Sequence, residues 1–350
     1  MQKIRLAVIG AGAIGRTHIT HAHEHELIDL VAIVDAAPAA HALAAELNIP
    51  AFEDTGTMLA AVRPDAVIVA TPNPTHADIG VQCLESGAAV LVEKPIADTL
   101  EDAMRLCEAA QRTGRPLLVG HQRRHNPVLR RARDIIESGR LGKLVSAVSM
   151  ASFLKPDSYF ETEWRRKKGG GPILINLIHD IDLLRFLMGE IESVQATASN
   201  SVRGYEVEDT AAVILRFAGG ALATLTVSDA ATTPWNWDLA TGEVPRFPRH
   251  DVNTHFISGT HGSLTLPRME LWDYRGTRAW TEPLTLERTA PLAENPFTEQ
   301  LRHLHAVLHG QESPRCSGQD GMRTLQATLA VAEAARTCAI VRPQEMAVSR

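Results

Sequence analysis

Little in this chain points to an oxidising compartment, a bilayer or a polyanion. Its four cysteines, Cys83, Cys107, Cys316 and Cys338, stand far apart in 350 residues and make no C-x-x-C pair. A disulfide framework belongs to short, cysteine-dense chains, and a structural zinc needs clustered ligands, so neither is expected. No apolar run approaches the ~18 residues of a membrane span. The apolar part of the opening stretch MQKIRLAVIGAG is too short for a secretory signal. Basic residues are outnumbered, 35 Lys+Arg against 41 Asp+Glu, for a formal net charge of −6. A nucleic-acid or anionic-membrane partner would call for a basic stripe. Internal repeats and low-complexity segments are also missing. These absences leave a soluble, cytoplasmic protein with no nucleic-acid or membrane partner as the expectation.

What is present is ordinary for a globular protein: 45% hydrophobic and 22% charged residues. At ~150 residues per domain the length suggests two domains. Such a chain buries about 75% of its unfolded surface and needs no staple.

The first 120 residues alternate regularly. Apolar runs too short for helices occur at 3–9, 30–35, 66–71, 89–93 and 117–120, with helical patterns at 13–26, 38–47, 75–87 and 99–113 between them. The runs are rich in Val, Ile and Leu on both faces, as in strands covered by helices on both sides. Thr99 with Asp102 three residues on predicts a capped helix start, and Gly87 and Gly114 sit where helix C-caps belong. Strand–helix alternation of this kind predicts a doubly wound parallel sheet.

Beyond residue 122 the pattern changes. Helices are expected at 127–138, 173–188, 296–309 and 319–338. Alternating strands are expected at 143–150, 194–199, 210–217 and 221–228, with shorter ones at 253–258, 263–266 and 269–273. Phe217-Ala-Gly-Gly-Ala221 reads as a hairpin turn. The expected division is therefore a Rossmann-type α/β domain at 1–122 and an α+β domain with an open, mostly antiparallel sheet at 123–350. The second would bind substrate and build the oligomer, with helix 319–338 placed to pack back on the first.

Gly10-Ala-Gly12-Ala13-Ile14-Gly15 is a G-x-G-x-x-G directly after the first strand and opening the first helix. In that context Gly10 serves the tight turn, Gly12 the approach of a pyrophosphate to the backbone, and Gly15 helix–sheet packing. The helix start offers unpaired N–H groups to the diphosphate. Asp35, 20 residues after Gly15, can accept both adenosine ribose hydroxyls and repel a 2′-phosphate. Ala36-Ala37-Pro38-Ala39-Ala40 supply no cation for that phosphate, so NAD is favoured over NADP. His18, His21 and His25 share one face of the first helix. They read as a solvated row with His18 near the cofactor end rather than as metal ligands, and no metal is expected.

Glu93-Lys94-Pro95 closes the fourth run, where strand ends meet ligands in open α/β sheets. With Thr71-Pro72-Asn73 and His76, Gly120 through Pro127, the triple glycine 169–171, His179-Asp-Ile-Asp182 and Ser317 through Gly321, the chain resembles the Gfo/Idh/MocA family. The resemblance implies a nicotinamide-dependent oxidoreductase of sugars, cyclitols or similar polyols, with substrate between the Rossmann domain and one face of the second sheet. It also implies a homodimer or homotetramer built on the sheet's other face. It gives Lys94 and His179 catalytic roles, and Thr71, Pro72, Asn73, His76 and Glu93 places beside the cofactor. The family's aspartate four residues before that histidine is replaced by Ile175, with Asn176 beside it.

The chemistry points the same way. Oxidising a secondary alcohol needs a base at the hydroxyl, and a cation helps the developing alkoxide. Imidazole titrates near neutrality, which suits His179, and Lys94 can donate to the same oxygen. Asn176 can hydrogen-bond substrate but cannot take a proton. Asp180 faces elsewhere on the helix. Asp182 can orient the His179 ring, or Arg185 can claim Asp182 as an ion-pair partner. Arg123, Arg124 and the basic run 165–168 are candidates for an acidic group on the substrate, with Arg124 and Arg165 preferred. Trp164, Trp235 and Trp237 can offer flat faces to a sugar or fill an interface, with Trp164 preferred. Two rival readings keep the fold: an NAD-dependent glycosidase using transient oxidation, and a non-catalytic dinucleotide-sensing regulator.

Overall fold

The computed structural model describes residues 2–244, 246–291 and 294–346. The chain starts with β1 (Ile4–Ile9), α1 (Ala13–Glu24), β2 (Ile28–Val34), α2 (Pro38–Glu46), β3 (Ala51–Phe52) and α3 (Thr55–Val62). β4 (Ala66–Val69), α4 (His76–Glu85), β5 (Ala89–Val92), α5 (Leu100–Thr113) and β6 (Leu117–Val119) follow. The six strands form one parallel sheet in the order β3-β2-β1-β4-β5-β6, the doubly wound arrangement expected. β4 and β5 are buried at every position, as continuous apolar runs between two helical layers must be. The Thr99 hydroxyl accepts from the Asp102 N–H at 3.1 Å, and Gly114 takes the left-handed C-cap with φ of 65°. β3 and α3 were not anticipated. Two residues carry no periodicity, and α3 (TGTMLAAV) has no marked polar face, although the Asp54 carboxylate caps it by accepting from Thr57 N at 2.8 Å.

After α6 (Pro127–Glu137) the chain builds β7 (Leu144–Ser152), α7 (Ile178–Met188), β8 (Ile191–Ser199), β9 (Thr210–Phe217) and β10 (Leu222–Ser228). The short helix α8 (Trp237–Thr241) precedes β11 (His255–Gly259), β12 (Gly262–Leu266), β13 (Glu270–Asp273) and β14 (Thr285–Arg288). These eight strands form a second sheet, β14-β13-β12-β11-β7-β10-β9-β8, antiparallel except where β10 runs parallel to β7. The glycine turn between β9 and β10 closes as expected, with Phe217 N donating to Ala221 O at 2.9 Å and Gly220 at φ of 88°. β14 was missed because Thr-Leu-Glu-Arg is short and carries no strand signal. The expected helix at 173–188 is two pieces: a π-helical turn at Ile173–Leu177 runs into α7. Strict alternation in β9 and β10 buries Val213, Leu215, Phe217, Leu225 and Val227 with Ile181 and Leu184 of α7. The other face leaves Ile214 and Leu222 about half exposed.

Two helices close the chain, α9 (Pro296–Leu308) and α10 (Gly318–Thr337). The molecule divides into two units: residues 2–125 with 294–325, and residues 126–291 with 326–346. This differs from a single cut at 122/123, because α9 lays Leu301, Leu304 and Val307 into the core of the first unit with Ile19 of α1. Ala327, Ala330, Val331 and Ala334 of α10 instead belong to the core of the second. In the first unit, Gly318 and Gly321 allow the start of α10 to approach β6. A Cβ on either would fall 2.5 Å from Leu117 and 2.4 Å from Val119 respectively.

Candidate functional site

In the first unit, the carboxyl ends of four strands carry the expected cofactor residues. Gly10, past β1, has φ of 92°, and a Cβ there would lie 2.6 Å from the Ala70 carbonyl oxygen. A Cβ on Gly15 would lie 1.9 Å from the Gly10 carbonyl oxygen, so helix and loop touch backbone to backbone. Gly12 is different: nothing lies within 4 Å of where its Cβ would be. Gly10 and Gly15 are required by packing, whereas Gly12 leaves an open approach to the N–H groups that start α1. No side chain caps that helix end, no acidic residue occupies its first turn, and Ala13 and Ile14 are exposed. The residues present therefore fit a dinucleotide diphosphate. Asp35, past β2, accepts from Ala11 N at 2.7 Å and Ala37 N at 2.8 Å, one bond on each oxygen. A carboxylate has about four acceptor positions, so it retains capacity for two ribose hydroxyls.

Other expected contacts are framework. His76 is 1% exposed, and its two ring nitrogens lie 2.9 Å from the carbonyl oxygens of Pro95 and Thr71. It ties the loops after β4 and β5 together rather than offering a nitrogen to cofactor. Thr71 and Pro72 are held by the Thr75 hydroxyl at 2.7 and 2.8 Å, and Asn73 bonds the Asp98 side chain. Glu93 is buried, with one oxygen 2.7 Å from His18 Nε2 and the other accepting from Lys94 N at 3.1 Å. Burial alone would raise its pKa. The His18 bond and charge, with the Lys94 charge, hold the carboxyl below the ordinary range instead. Lys94 itself is half-buried one residue beyond, its backbone anchored by that carboxylate.

The solvated histidine row did not materialise. His18 and His25 are buried, and Phe297 of α9 meets His18 edge-on and stacks on His21. Nothing in α1 alone announced that a later helix covers this face. Arg124 also has a different task from the one expected. It is 4% exposed and donates to Arg315 O at 2.8 Å, with Asp320 Oδ1 at 4.0 Å. Its guanidinium braces the start of α10, where Ser317 and Asp320 cap each other.

In the second unit, Ile175, Asn176 and His179 are the half-buried positions of a stretch whose neighbours Leu177, Ile178 and Asp180 are buried. The π turn Ile173–Leu177 immediately precedes this part of α7. Asn176 Oδ1 accepts from Lys155 Nζ at 2.8 Å. Lys155, 6% exposed just beyond β7, also donates to Asp229 Oδ2 at 3.2 Å and lies 4.6 Å from the Tyr159 ring centre. Burial pushes its pKa down, opposed by the Asp229 charge and aided by Arg203 and Arg165. Sequence reasoning missed this lysine; one lysine before a proline carries no signal.

Asp180 does face away, pairing with His255 Nε2 at 3.0 Å. Arg185 forks onto Glu190 at 2.7 and 3.1 Å, while Asp182 is 1% exposed. Arg165 donates to Tyr159 O at 2.8 Å and lies 4.0 Å over the Tyr159 ring. Trp164 beside it is half exposed. Trp237 is fully buried and bonds Glu243, so it offers no face to a ligand.

This fold and cradle define an NAD-binding oxidoreductase. Residues 4–121 match the family model described as "Oxidoreductase family, NAD-binding Rossmann fold", and residues 129–265 match the GFO/IDH/MocA C-terminal domain. The chain belongs to the GFO/IDH/MocA family. It is similar to 1,5-anhydro-D-fructose reductase of Ensifer adhaerens, 33% identical over 282 residues, 78% of each chain. The rhizopine catabolism protein MocA of Rhizobium meliloti is 31% identical over 210 residues, 58% of this chain and 65% of that protein, so the match spans just under two thirds of its length. Among solved structures, the WlbA dehydrogenase of Bordetella pertussis in complex with NADH and UDP-GlcNAcA superposes with a TM-score of 0.78 at 26% identity. That match covers 97% of this chain and 99% of the other. Among the described residues no helix is long and apolar enough to cross a membrane.

Proposed function

We propose that this enzyme transfers a hydride between NAD and a secondary alcohol carbon of a sugar, cyclitol or related polyol, including substrates that bear an acidic group. The observation that carries the reading is Lys94, half-buried at the carboxyl end of β5, with its backbone N–H held by the Glu93 carboxylate, which His18 in turn engages. NAD, when bound, supplies the hydride acceptor. Lys94 donates to the reacting hydroxyl and stabilises its oxygen as the proton leaves. His179 takes that proton, and Asn176, held by Lys155, orients a neighbouring hydroxyl. Trp164 and Arg165 contact substrate next to Tyr159, and Arg165 is the group that would meet an acidic substituent. The sugar and sugar-acid ligands named for the similar proteins support this substrate class.

The second sheet's exposed apolar residues on one face, among them Val148, Ile214, Leu222 and Phe256, support a homodimer or homotetramer joined through that face. Light scattering of the purified chain checks it, and a monomer at micromolar concentration would refute it. The activity is tested by mixing the protein with NAD and a panel of polyols, aldoses and uronic acids while following NADH. Stoichiometric turnover to NADH is the expected result. Glycoside cleavage without NADH accumulation would replace the dehydrogenase by a glycosidase, and dinucleotide binding with no turnover would indicate a sensor.

A further inference from the structure

Lys155 follows β7, and its ammonium is enclosed by three partners. It donates to Asn176 Oδ1 at 2.8 Å and to Asp229 Oδ2 at 3.2 Å, and lies 4.6 Å from the centre of the Tyr159 ring. Its backbone is held too: Lys155 N donates to Asp229 O, and Arg203 Nη2 donates to Lys155 O, both at 2.9 Å. The backbone of Asn176 is constrained as well. It sits in the π turn Ile173–Leu177, whose first N–H donates to Glu208 Oε1 at 3.0 Å, and a Cβ on Gly171 would run into that same carboxylate. An ammonium only donates, so the Asn176 atom facing it is the amide oxygen. The two amide N–H groups then lie on the far side of the side chain. Asn176 is half-buried, and among the described residues nothing accepts from its Nδ2.

We propose that Lys155 is a positioning residue that makes Asn176 a donor-only contact, so that this position selects a substrate oxygen and rejects a protonated amine. This polarity rests on the substrate contact proposed above for Asn176. An unrestrained amide can turn over and offer either its oxygen or its N–H groups. Turning it here would set an N–H group against the ammonium and leave a buried donor without an acceptor, which costs the desolvation of that donor. The ligand class is therefore a hydroxyl, ether, carbonyl or carboxylate oxygen that accepts. An ammonium in the same place meets two donors, no acceptor and the Lys155 charge behind them, which is discrimination by repulsion.

Neutron diffraction from deuterated crystals of the full chain tests the arrangement without substrate. The amide oxygen is expected on Lys155 Nζ and the ND2 group opposite, whereas a neutral Lys155 amine accepting from that ND2 group would overturn the proposal. Selection is read by following NADH with D-glucose and myo-inositol and with the deoxyamino analogues of each, at a pH that keeps the amines protonated. Wild type should reject at least one amino analogue by about tenfold or more in kcat/KM relative to its parent. An amino series accepted as readily as the parents overturns the proposal. Lys155→Met should close most of that gap and raise KM for the parent more than it lowers kcat, and Lys155→Arg, which still only donates, should keep the gap. Equal losses on parent and analogue in Lys155→Met, the mark of a merely structural residue, also count against it. Asn176→Asp keeps an acceptor for Lys155 but presents no N–H group, so KM for the parent should rise about tenfold. An unchanged KM there overturns the proposal even if Lys155→Met does not fold. Absence of NADH with every compound would count against the hydride-transfer reading instead, and the diffraction result would still decide the polarity of Asn176.

Discussion

In the first unit the surface that fits a dinucleotide diphosphate is backbone: glycines without Cβ atoms, a helix start without a cap, and strand ends placed side by side by a parallel sheet. In the second unit the proposed substrate surface is made of side chains: Asn176 on Lys155, Arg165 on Tyr159, and His179 on a helix entered through a π turn. Backbone recognition suits a cofactor whose diphosphate does not vary. Side-chain recognition can change residue by residue, which is where a family that serves many substrates is free to differ. The buried charges follow the same division. Glu93 is so well partnered by His18 and Lys94 that its ionised form is favoured despite burial. Lys155, sharing Asp229 with Arg203, is held so that burial still disfavours its charge.

The largest effects are expected at the two residues proposed to carry the chemistry, one in each unit. Lys94→Ala should lower turnover by ~10²-fold or more while NADH affinity stays within a few-fold, and His179→Ala should act alike. Steady-state kinetics beside NADH titration separate the two quantities. A Lys94→Ala enzyme with unchanged turnover on its true substrate would sink the assignment.

A smaller effect sharpens the account of the backbone surface. Gly15→Ala should destabilise the protein by ~1–3 kcal/mol, as overpacking against rigid backbone does. Gly12→Ala should cost less than about 1 kcal/mol yet weaken NADH at least about tenfold, because its methyl fills only the approach path. Chemical denaturation and calorimetry check both. Similar stability losses for the two would mean that Gly12 is also a packing residue.

Smallest are two pH slopes of opposite placement. Glu93 has a folded pKa below its ordinary 4.5, so its contribution is present above 4.5 and is lost as pH falls through the folded value. Wild type should therefore lose stability relative to Glu93→Gln on acidification below 4.5. Lys155 has a folded pKa below its ordinary 10.5, so the unfolded chain binds more protons between the two values. Wild type should gain stability relative to Lys155→Met as pH rises toward 10.5. Denaturant midpoints across pH measure both, and a flat difference for Lys155 would show its charge to be fully compensated.

Much of the first unit was legible because its signals are local. A strand, three glycines, a helix and an acidic residue some 20 positions on are read within one βαβ stretch. In the second unit the alternation of β9 and β10 was equally plain, but the π turn and Lys155 were not. A helical pattern does not reveal where one backbone bond is displaced, and a buried lysine is recognised only by the carboxylate and amide that receive it. His76 and Arg124 show the same limit within the first unit. Their residue types suited ligand contact, but the carbonyl oxygens that engage them, those of Pro95 and Arg315, lie 19 and 191 residues away.

By itself, then, the sequence determined the doubly wound sheet, the antiparallel second sheet, the dinucleotide cradle and the position of Lys94. Each follows from periodicity or from spacing within a single supersecondary unit. Tertiary structure alone decided which polar groups remain available to a ligand. It spent His76 on two loops and Arg124 on α10, buried Trp237, and covered His18 and His21 with Phe297 of α9. The physical reason is that a side chain's availability depends on which groups fold against it, and those come from distant parts of the chain.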